Sequence, residues 1–304
     1  MVGWGAPWDM TSSTPQVVAI FGPTASGKSA VSEILAGRLG TEVVSADAFQ
    51  VYRGLPILTN QPDAPTRLVG IRRLSEEMSI GEYAGLAHAA VDELIEANGT
   101  VVVAGGTGLY LRAALVDLVI PSVAKNGARA RWEALYDGDP EAAYARLGEL
   151  DPAAASIVHR NDRRRVVRAL ELSELGASLI PARNRLWSAE MRRPTLVTGL
   201  ELPPATLERR IRERTADMFA RGVADEVQRA LREPISRTAA KALGLGDLAT
   251  LTPDKAFERI LVRTRRYAAY QRKWMRRIPG IVMIDADRPA EAVVDAILEV
   301  ARAR

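Results

Sequence analysis

The sequence contains no cysteine, which excludes disulfide bonds and thiolate metal sites. It has only two histidines, His88 and His159, and neither has a partner at the spacing of metal ligands, so we interpret both as structural. No hydrophobic run is long enough to span a bilayer, so we expect no membrane partner. Residues 1–15 lack both a basic start and an apolar segment, which predicts a mobile leader rather than a secretory signal. The cytoplasm is therefore the expected location.

Lysine is scarce, and nearly all of the 41 basic residues are arginine. The net charge is only +4, although the isoelectric point is about 9.5. Arginine favours bidentate phosphate contacts and stacking on bases. Because a GC-rich genome also raises arginine content, the positions of the arginines are more informative than their number.

One segment of the chain fits the phosphate-binding loop pattern G-x-x-x-x-G-K-[ST] at every fixed position. An apolar run, Val17–Phe21, precedes it and a helical pattern follows, which is the context that the motif requires. The backbone N–H groups, the helix N-terminus and the charge of Lys28 would together bind a di- or triphosphate, as in nucleotide- and ATP-binding proteins. Ser29 would offer its hydroxyl to a divalent cation. The alternative is a glycine-rich turn that binds nothing. The residues of this loop are Gly22, Pro23, Thr24, Ala25, Ser26, Gly27, Lys28 and Ser29.

Strand-like runs that alternate with helical stretches predict an α/β fold. We expect a P-loop NTPase-like parallel sheet with helices on both faces and an inserted all-helical domain. The core domain would comprise 16–114 and 194–304, and the insertion 115–193. The predicted strands are Val17–Phe21, Glu42–Ser45, Thr100–Ala104, Thr195–Leu200 and Ile281–Ile284.

The helices predicted in the insertion are Ala128–Tyr136, Pro140–Leu150, Pro152–Ile157 and Asp162–Leu175. Two of them begin with Asp-Pro, which is typical of an N-cap followed by a first-turn proline. Those predicted after the fourth strand are Pro204–Leu231, Ser236–Leu243 and Asp254–Arg277.

Two polar features follow the ends of predicted strands, where ligands of open α/β sheets bind. Asp47 follows the second strand, and its carboxylate could ligate a metal or accept a proton, although a turn aspartate is the alternative. Gly105–Gly108, with Thr107, follows the third strand and could either approach a ligand or form only a tight turn. Nucleotide hydrolases place a magnesium-binding acid at such a strand end. Its absence disfavours phosphoryl transfer and favours a diphosphate held as a leaving group.

Basic residues cluster in two helical stretches. In the insertion, Arg164, Arg165 and Arg168 share one helix edge, while Val166 and Val167 point towards the core. This edge suits phosphodiester contacts, although a solvated charged face is the alternative. In the last long helix, Tyr267, Tyr270 and Trp274 lie among arginines; their spacing favours core packing over base stacking.

Taken together, the motifs resemble those of the tRNA dimethylallyltransferases, also called tRNA isopentenyltransferases. Their order spans most of the chain, from Val17 to Ile278. The matching stretches are Gly22–Ser29, Ser45–Asp47, Gln50–Gly54, Gly105–Tyr110, Asn161–Asp162, Arg165–Leu170, Ala242–Gly244 and Thr264–Ala268, with Gln271 and Trp274.

The resemblance implies transfer of a dimethylallyl group from dimethylallyl diphosphate to the N6 amine of the adenosine beside the anticodon of tRNA. It implies a monomer that uses Mg²⁺ held by Ser29. Asp47 matches the general base, with Thr24 and Lys28 as further catalytic residues, and Gly22–Ser29 would bind the diphosphate. The anticodon stem-loop of tRNA would contact Asp47, Ala48, Phe49, Gln50, Thr107, Arg164, Arg165, Val166, Val167, Arg168, Lys241, Ala242, Leu243, Gly244, Leu245 and Gly246.

The chain departs from the family pattern at Ala48, Phe49 and Leu245, and also at Leu58–Gln61, where a basic residue that the family has near the diphosphate is absent. Three alternatives stay open. A related adenylate dimethylallyltransferase would modify free nucleotide without needing the basic insertion. A small-molecule kinase would need an acid after the third strand. A non-catalytic RNA-binding protein would not need an intact Lys28 and Asp47.

Overall fold

A computed structural model of the protein describes residues 15–118, 127–180 and 185–303, without the side chain of Arg185. The predicted leader therefore lies outside the described residues, apart from Pro15. The chain divides into two compact units: Met1–Asp117 with Ala189–Arg304, the core unit, and Leu118–Ser188, the helical unit.

The strands of the core unit are β1 (Val17–Phe21), β2 (Val43–Ser45), β3 (Thr66–Arg67), β4 (Val101–Gly105), β5 (Thr195–Glu201) and β6 (Val282–Asp285). Its helices are α1 (Lys28–Leu39), α2 (Pro56–Thr59), α3 (Ile80–Asn98), α4 (Gly108–Leu115), α9 (Pro204–Ala220), α10 (Val223–Ala230), α11 (Leu245–Thr250), α12 (Pro253–Met275) and α13 (Ala290–Arg302). Those of the helical unit are α5 (Ala128–Gly138), α6 (Pro140–Leu150), α7 (Pro152–Ile157) and α8 (Arg163–Ser173).

The six strands form one parallel sheet in the order β3-β2-β4-β1-β5-β6. All five residues of β1 are buried, so this strand is covered on both faces, as its unbroken apolar sequence requires. The predicted α/β fold is therefore confirmed. Because β1 lies between β4 and β5, the loop after β1 occupies the centre of the carboxyl edge, where ligands of such sheets bind.

The helical unit has its own hydrophobic core, to which α8 contributes Val166, Val167 and Leu170. Its helix starts follow the Asp-Pro signals. Asp139 accepts backbone N–H hydrogen bonds at the start of α6, and Asp151 accepts one from Ala154 at the start of α7. Local capping therefore explains why the predicted bounds of these two helices agree with the structure.

Three sequence predictions in the core unit need correction. The predicted helix Pro204–Leu231 is two helices, because Gly222 adopts a left-handed backbone (φ 82°) between α9 and α10. The predicted helix Ser236–Leu243 is only a 3-10 turn at Ala239–Lys241, and Gly244 (φ 96°) precedes the unpredicted α11. Strand β3 was not predicted, since two half-buried residues leave no apolar pattern. Among the described residues, no helix is long and apolar enough to cross a bilayer.

Candidate active site

The phosphate-binding loop connects β1 to α1 at the centre of the sheet. Ala25 (φ 63°) and Gly27 (φ 89°) both have left-handed backbones, which is how such a loop turns its N–H groups inward as a nest. Gly27 has no side chain with which to cap the first turn of α1, and that turn contains no acid. The buried hydroxyl of Ser26 has no hydrogen-bond partner among the described residues. These unsatisfied donors suit an anion.

Two cavities meet at this loop. The first, which we call the α12 cavity, has a volume of about 120 Å³ and is bordered by α12, α9 and α2. The second, the α1 cavity, has a volume of about 310 Å³ and extends along α1 and β2. Both are lined by Lys28, Ser29, Asp47, Gln50 and Gly106, so the loop and the carboxylate face the same space.

The positive charge of Lys28 is destabilised by its surroundings in this space. Its ammonium Nζ donates to the Pro23 carbonyl at 2.7 Å. Loss of hydration, and then the neighbouring cation of Arg214, lowers the pKa of Lys28 from 10.5 to about 7, while Asp47 opposes the shift. An anion bound in the loop would restore the charge, because it would favour the ammonium form.

Arg214 brings a second cation to the α12 cavity from α9. Its guanidinium donates to the Thr24 hydroxyl, and its Nε atom is buried without a hydrogen-bond partner among the described residues. Burial lowers the pKa of Arg214, and Asp47 partly offsets this. Two poorly hydrated cations therefore face one carboxylate, which makes the cavity suited to a ligand of higher negative charge than one.

Asp47 lies directly after β2 and lines both cavities. Its Oδ1 atom accepts the backbone N–H of Phe49 at 2.9 Å, so the turn role that the sequence left open does exist. Among the described residues no hydrogen bond reaches Oδ2. One oxygen therefore fixes the carboxylate, while the other stays available to a substrate.

Gln271 connects the phosphate-binding loop to the turn after β4. Its side chain accepts the Thr24 N–H and donates to the Gly106 carbonyl, both at 2.8 Å. A Cβ atom on Gly106 would lie 2.3 Å from the Gln271 amide, and one on Gly105 would lie 2.1 Å from the Ala46 carbonyl. A side chain at either position would collide with these neighbouring groups, so both positions require glycine. The turn after β4 is therefore packed tightly against Gln271 and Ala46 and does not only reverse the chain direction.

The hydroxyl of Thr107 extends this network towards α12. It accepts the Ala48 N–H at 3.4 Å and lies 3.3 Å from the Tyr267 hydroxyl. Burial, and then the charge of Asp47, raises the pKa of Tyr267, so its phenol stays protonated. Tyr267 lines the α12 cavity, whereas Tyr270 is 55% exposed to solvent. The aromatic residues of α12 therefore do not form one core-facing stripe.

The remaining predicted contact residues fall into two groups. In the core unit, Leu243 lines the α12 cavity and Lys241 and Gly246 are exposed, but the side chains of Ala242 and Leu245 are buried. In the helical unit, Arg164 and Arg165 are exposed. The side chains of Val166 and Val167, however, are fully buried in the core of that unit, because the inner face of α8 packs there, so a contact of these two residues with tRNA would be made by their backbone.

Three buried or half-buried polar residues near the site were missed or not interpreted from the sequence: Arg214, Glu226 and Gln271. A signal for Arg214 exists, because it shares the inward face of α9 with the buried residues Ile211 and Met218. A polar residue at an inward position of an amphipathic helix is the pattern that could have identified all three.

Comparisons with known proteins identify the family of this chain. The family model described as IPP transferase matches residues 50–278. A tRNA dimethylallyltransferase of Kineococcus radiotolerans is 39% identical over 297 residues, covering 89% of this chain and 90% of the relative. One of Acidothermus cellulolyticus is 36% identical over 315 residues, covering 97% and 94%.

Two solved structures are similar over most of the chain. A tRNA isopentenylpyrophosphate transferase of Bacillus halodurans has a TM-score of 0.68 at 29% identity, covering 95% of this chain and 96% of that one. A eukaryotic dimethylallyltransferase, described as acting on tRNA, has a TM-score of 0.71 at 26% identity, covering 90% and 74%. This chain therefore belongs to the IPP transferase family.

Proposed function

We propose that this chain transfers the dimethylallyl group of dimethylallyl diphosphate to the N6 amine of the adenosine 3′ of the anticodon in tRNA. The products are N6-dimethylallyladenosine and diphosphate. The observation that carries the proposal is that Lys28, in a phosphate-binding loop, lines the same cavities as Asp47, one carboxylate oxygen of which accepts no hydrogen bond from any described residue.

The diphosphate of the donor would occupy the loop Gly22–Ser29. There the inward N–H groups, Lys28 and Arg214 supply positive charge without strong hydration, which stabilises the charge that grows on a leaving diphosphate. Thr24 is held between Arg214 and Gln271, so its hydroxyl and amide have fixed directions at this point.

The acceptor amine would enter beside Asp47. Its nitrogen forms a bond to C1 of the dimethylallyl group, and the C1–O bond breaks so that its electron pair leaves with the diphosphate. Asp47 takes one proton from the nitrogen through Oδ2. Gln50 and Tyr267 line the same space and would contact the nucleotide, and the Thr107 hydroxyl, which lies 3.3 Å from that of Tyr267, would contact it beside them.

The residues present fit a magnesium ion. Among the described residues the Ser29 hydroxyl has no hydrogen-bond partner, and it lines both cavities beside Asp47. Mg²⁺ prefers hard oxygen ligands and binds through few protein groups together with substrate phosphates. When bound, it would supply further charge neutralisation on the diphosphate. No group of three or more acids, histidines or cysteines suited to a metal occurs among the described residues. We assign the ion to Ser29 because the serine or threonine hydroxyl at this position of a phosphate-binding loop is the one that holds Mg²⁺.

The partner of the helical unit would be the anticodon stem-loop. Arg164 and Arg165 project from the exposed side of α8 and suit phosphate contacts. The target adenine must leave the anticodon stack to reach the cavity. A tRNA-modifying role would be carried out in the cytoplasm, and we expect the chain to act there as a monomer.

One assay tests the proposal. The protein is incubated with labelled dimethylallyl diphosphate, Mg²⁺ and either unmodified tRNA or AMP. Transfer to tRNA supports the proposal. Transfer to AMP alone, ATP turnover without transfer, or RNA binding without transfer would instead support, respectively, the adenylate enzyme, the kinase and the non-catalytic binder.

A further inference from the structure

One wall of the α12 cavity is formed by a very short helix and the residues next to it. Leu58, Thr59 and Asn60 line the cavity, and they belong to the short helix α2 and its end. We call Leu55–Gln61 the wall segment. A helix of four residues is too short to be stable by itself, so the position of this wall must be fixed by other contacts.

Glu226, on α10, supplies the strongest of these contacts. It is 4% exposed, and its two carboxylate oxygens each accept one backbone N–H at 2.8 Å, Oε1 from Ile57 and Oε2 from Leu58. The residue before the helix, Leu55, gives no side-chain cap. A single buried carboxylate therefore satisfies the first turn of α2 from a residue 168 positions away in the chain.

The wall segment touches both core-unit segments that we expect to contact tRNA. On one side, the Gln50 amide donates to the Asn60 carbonyl at 2.7 Å, while its own oxygen accepts the Ser45 hydroxyl at 2.7 Å. On the other side, a Cβ atom on Gly244 would lie 3.1 Å from a methyl group of Leu58, so Leu58 packs directly against Gly244. A shift of the wall would therefore move Gln50 and the segment around Gly244 together.

The diphosphate side is held by different contacts. Lys28 bonds to Pro23, Arg214 to Thr24, and Thr24 to Gln271, and none of these hydrogen bonds reaches the wall segment. The wall segment therefore holds groups that we expect to meet the acceptor nucleotide and takes no part in the hydrogen bonds that support the donor loop, although both line the α12 cavity.

We propose that Glu226 is a positioning residue for the acceptor: it fixes the wall segment and, through it, the places where Gln50 and the Gly244 segment meet the tRNA nucleotide. This inference rests on the proposed function. It predicts that loss of Glu226 impairs use of tRNA and leaves use of the diphosphate donor unchanged.

The test uses the full-length protein with Glu226→Ala and Glu226→Gln. Glutamine keeps one acceptor oxygen but places an amide against the second N–H, so its effect should be intermediate. We expect kcat/KM for tRNA to fall about tenfold to a hundredfold in the alanine variant, as small displacements in a reacting site do. The KM for dimethylallyl diphosphate and the affinity for pyrophosphate should stay within about twofold of wild type, because the loop keeps its own contacts.

A matched control separates positioning from general destabilisation. Thr100→Val removes another buried hydrogen bond, from the Thr100 hydroxyl to the Gln16 carbonyl, next to the amino end of β4. It should lower the melting temperature without changing either KM. If Glu226→Ala does not fold, the glutamine variant decides the question.

A double-mutant cycle with Gln50→Met locates the effect. If Glu226 acts through the wall and Gln50, the two losses in kcat/KM for tRNA should be less than additive. Additive losses, equal losses for donor and tRNA, or unchanged tRNA kinetics in a folded variant would each overturn the inference. Wild-type protein in the same assay keeps the two proposals apart, because only a failure of wild type to prenylate tRNA contradicts the proposed function.

Discussion

The cations of the α12 cavity and those of helix α8 are held in opposite ways. In the cavity, Lys28 and Arg214 share the single carboxylate of Asp47, and loss of hydration lowers the pKa of both cations. On α8, Arg163 makes two hydrogen bonds of 2.6 Å to Asp137, and Arg168 makes one of 2.9 Å to the buried Glu171.

The difference indicates which of the two regions should bind an anion more strongly. A cation that is poorly hydrated and has no acid of its own gains most from a ligand, whereas one already paired must exchange an existing partner. The end of the cavity at the phosphate-binding loop, where Lys28 and Arg214 lie, is therefore ready for a compact, highly charged ligand such as a diphosphate. On α8, only Arg164 forms no ion pair with any described residue, and Arg165 lies 4.0 Å from Asp162.

The largest expected effect tests the role of the shared carboxylate. Asp47→Asn should lower the rate of prenyl transfer by about 10²–10⁴-fold, the usual range for a lost general base. Because the variant lacks the carboxylate that would repel an anion, affinity for pyrophosphate should stay equal or rise, even though the pKa of Lys28 loses the upward contribution of Asp47. Single-turnover transfer and calorimetric titration of pyrophosphate measure the two quantities. A variant that transfers at nearly the wild-type rate would contradict the assigned role.

The second effect concerns stability. Arg168→Ala should leave Glu171, which is fully buried, with Arg129 at 3.7 Å as its remaining ion-pair partner among the described residues. Removing one partner of a buried ion pair typically lowers the free energy of unfolding by about 3 kcal/mol. Urea unfolding followed by circular dichroism measures this change, and Arg165→Ala, on the exposed side, is the control. Equal stability of the two variants would mean that Arg168 is not a structural partner of Glu171.

The third effect is a pH dependence. Below pH 7 the Lys28 ammonium is already charged in the free protein, so pyrophosphate binding adds no proton to the lysine there. Above pH 7 the free lysine is neutral, and binding must add a proton to it, so affinity should fall by up to about tenfold per pH unit between about 7 and 9.

Calorimetry at pH 8 in two buffers of different ionisation enthalpy measures the proton uptake directly. Since pyrophosphate itself titrates, Lys28→Met is the reference, and the uptake that disappears in this variant belongs to the lysine. Uptake that is the same in both proteins would show that Lys28 is charged before the ligand arrives.

The smallest effect separates exposed from paired arginines on α8. Arg164→Ala should reduce the slope of log Kd for tRNA against log salt by about one, the loss of one phosphate contact. Arg163→Ala should change this slope much less, because its guanidinium is already bonded to Asp137. Filter binding between low and physiological salt gives both slopes. An equal change in the two variants would remove the distinction between free and paired cations.

Local patterns predicted much of the molecule. The loop Gly22–Ser29 could be placed because its glycines, Lys28 and flanking strand and helix are adjacent in the chain, and the Asp-Pro helix starts because capping acts within three residues. The break at Gly222 and the short α11 were missed, since glycine at a helix interior and at a helix end look alike until tertiary packing selects one. Val166 and Val167 show a related limit. The apolar periodicity of α8 predicts that they are buried, but the segment matched to the family, Arg164–Arg168, includes residues on both the buried and the exposed face of the helix.

By itself, the sequence determined the alternation of strands and helices, the phosphate-binding loop and the presence of an acid after β2. Only the tertiary structure decided which distant side chains complete the site. Arg214 reaches Thr24 across 190 positions of the chain, Gln271 reaches it across 247, and Glu226 fixes α2 across 168. The physical reason is that these contacts form only when separate helices pack on the edge of one sheet. The two partners of such a contact have no regular spacing in the sequence, so no local pattern can identify them as a pair.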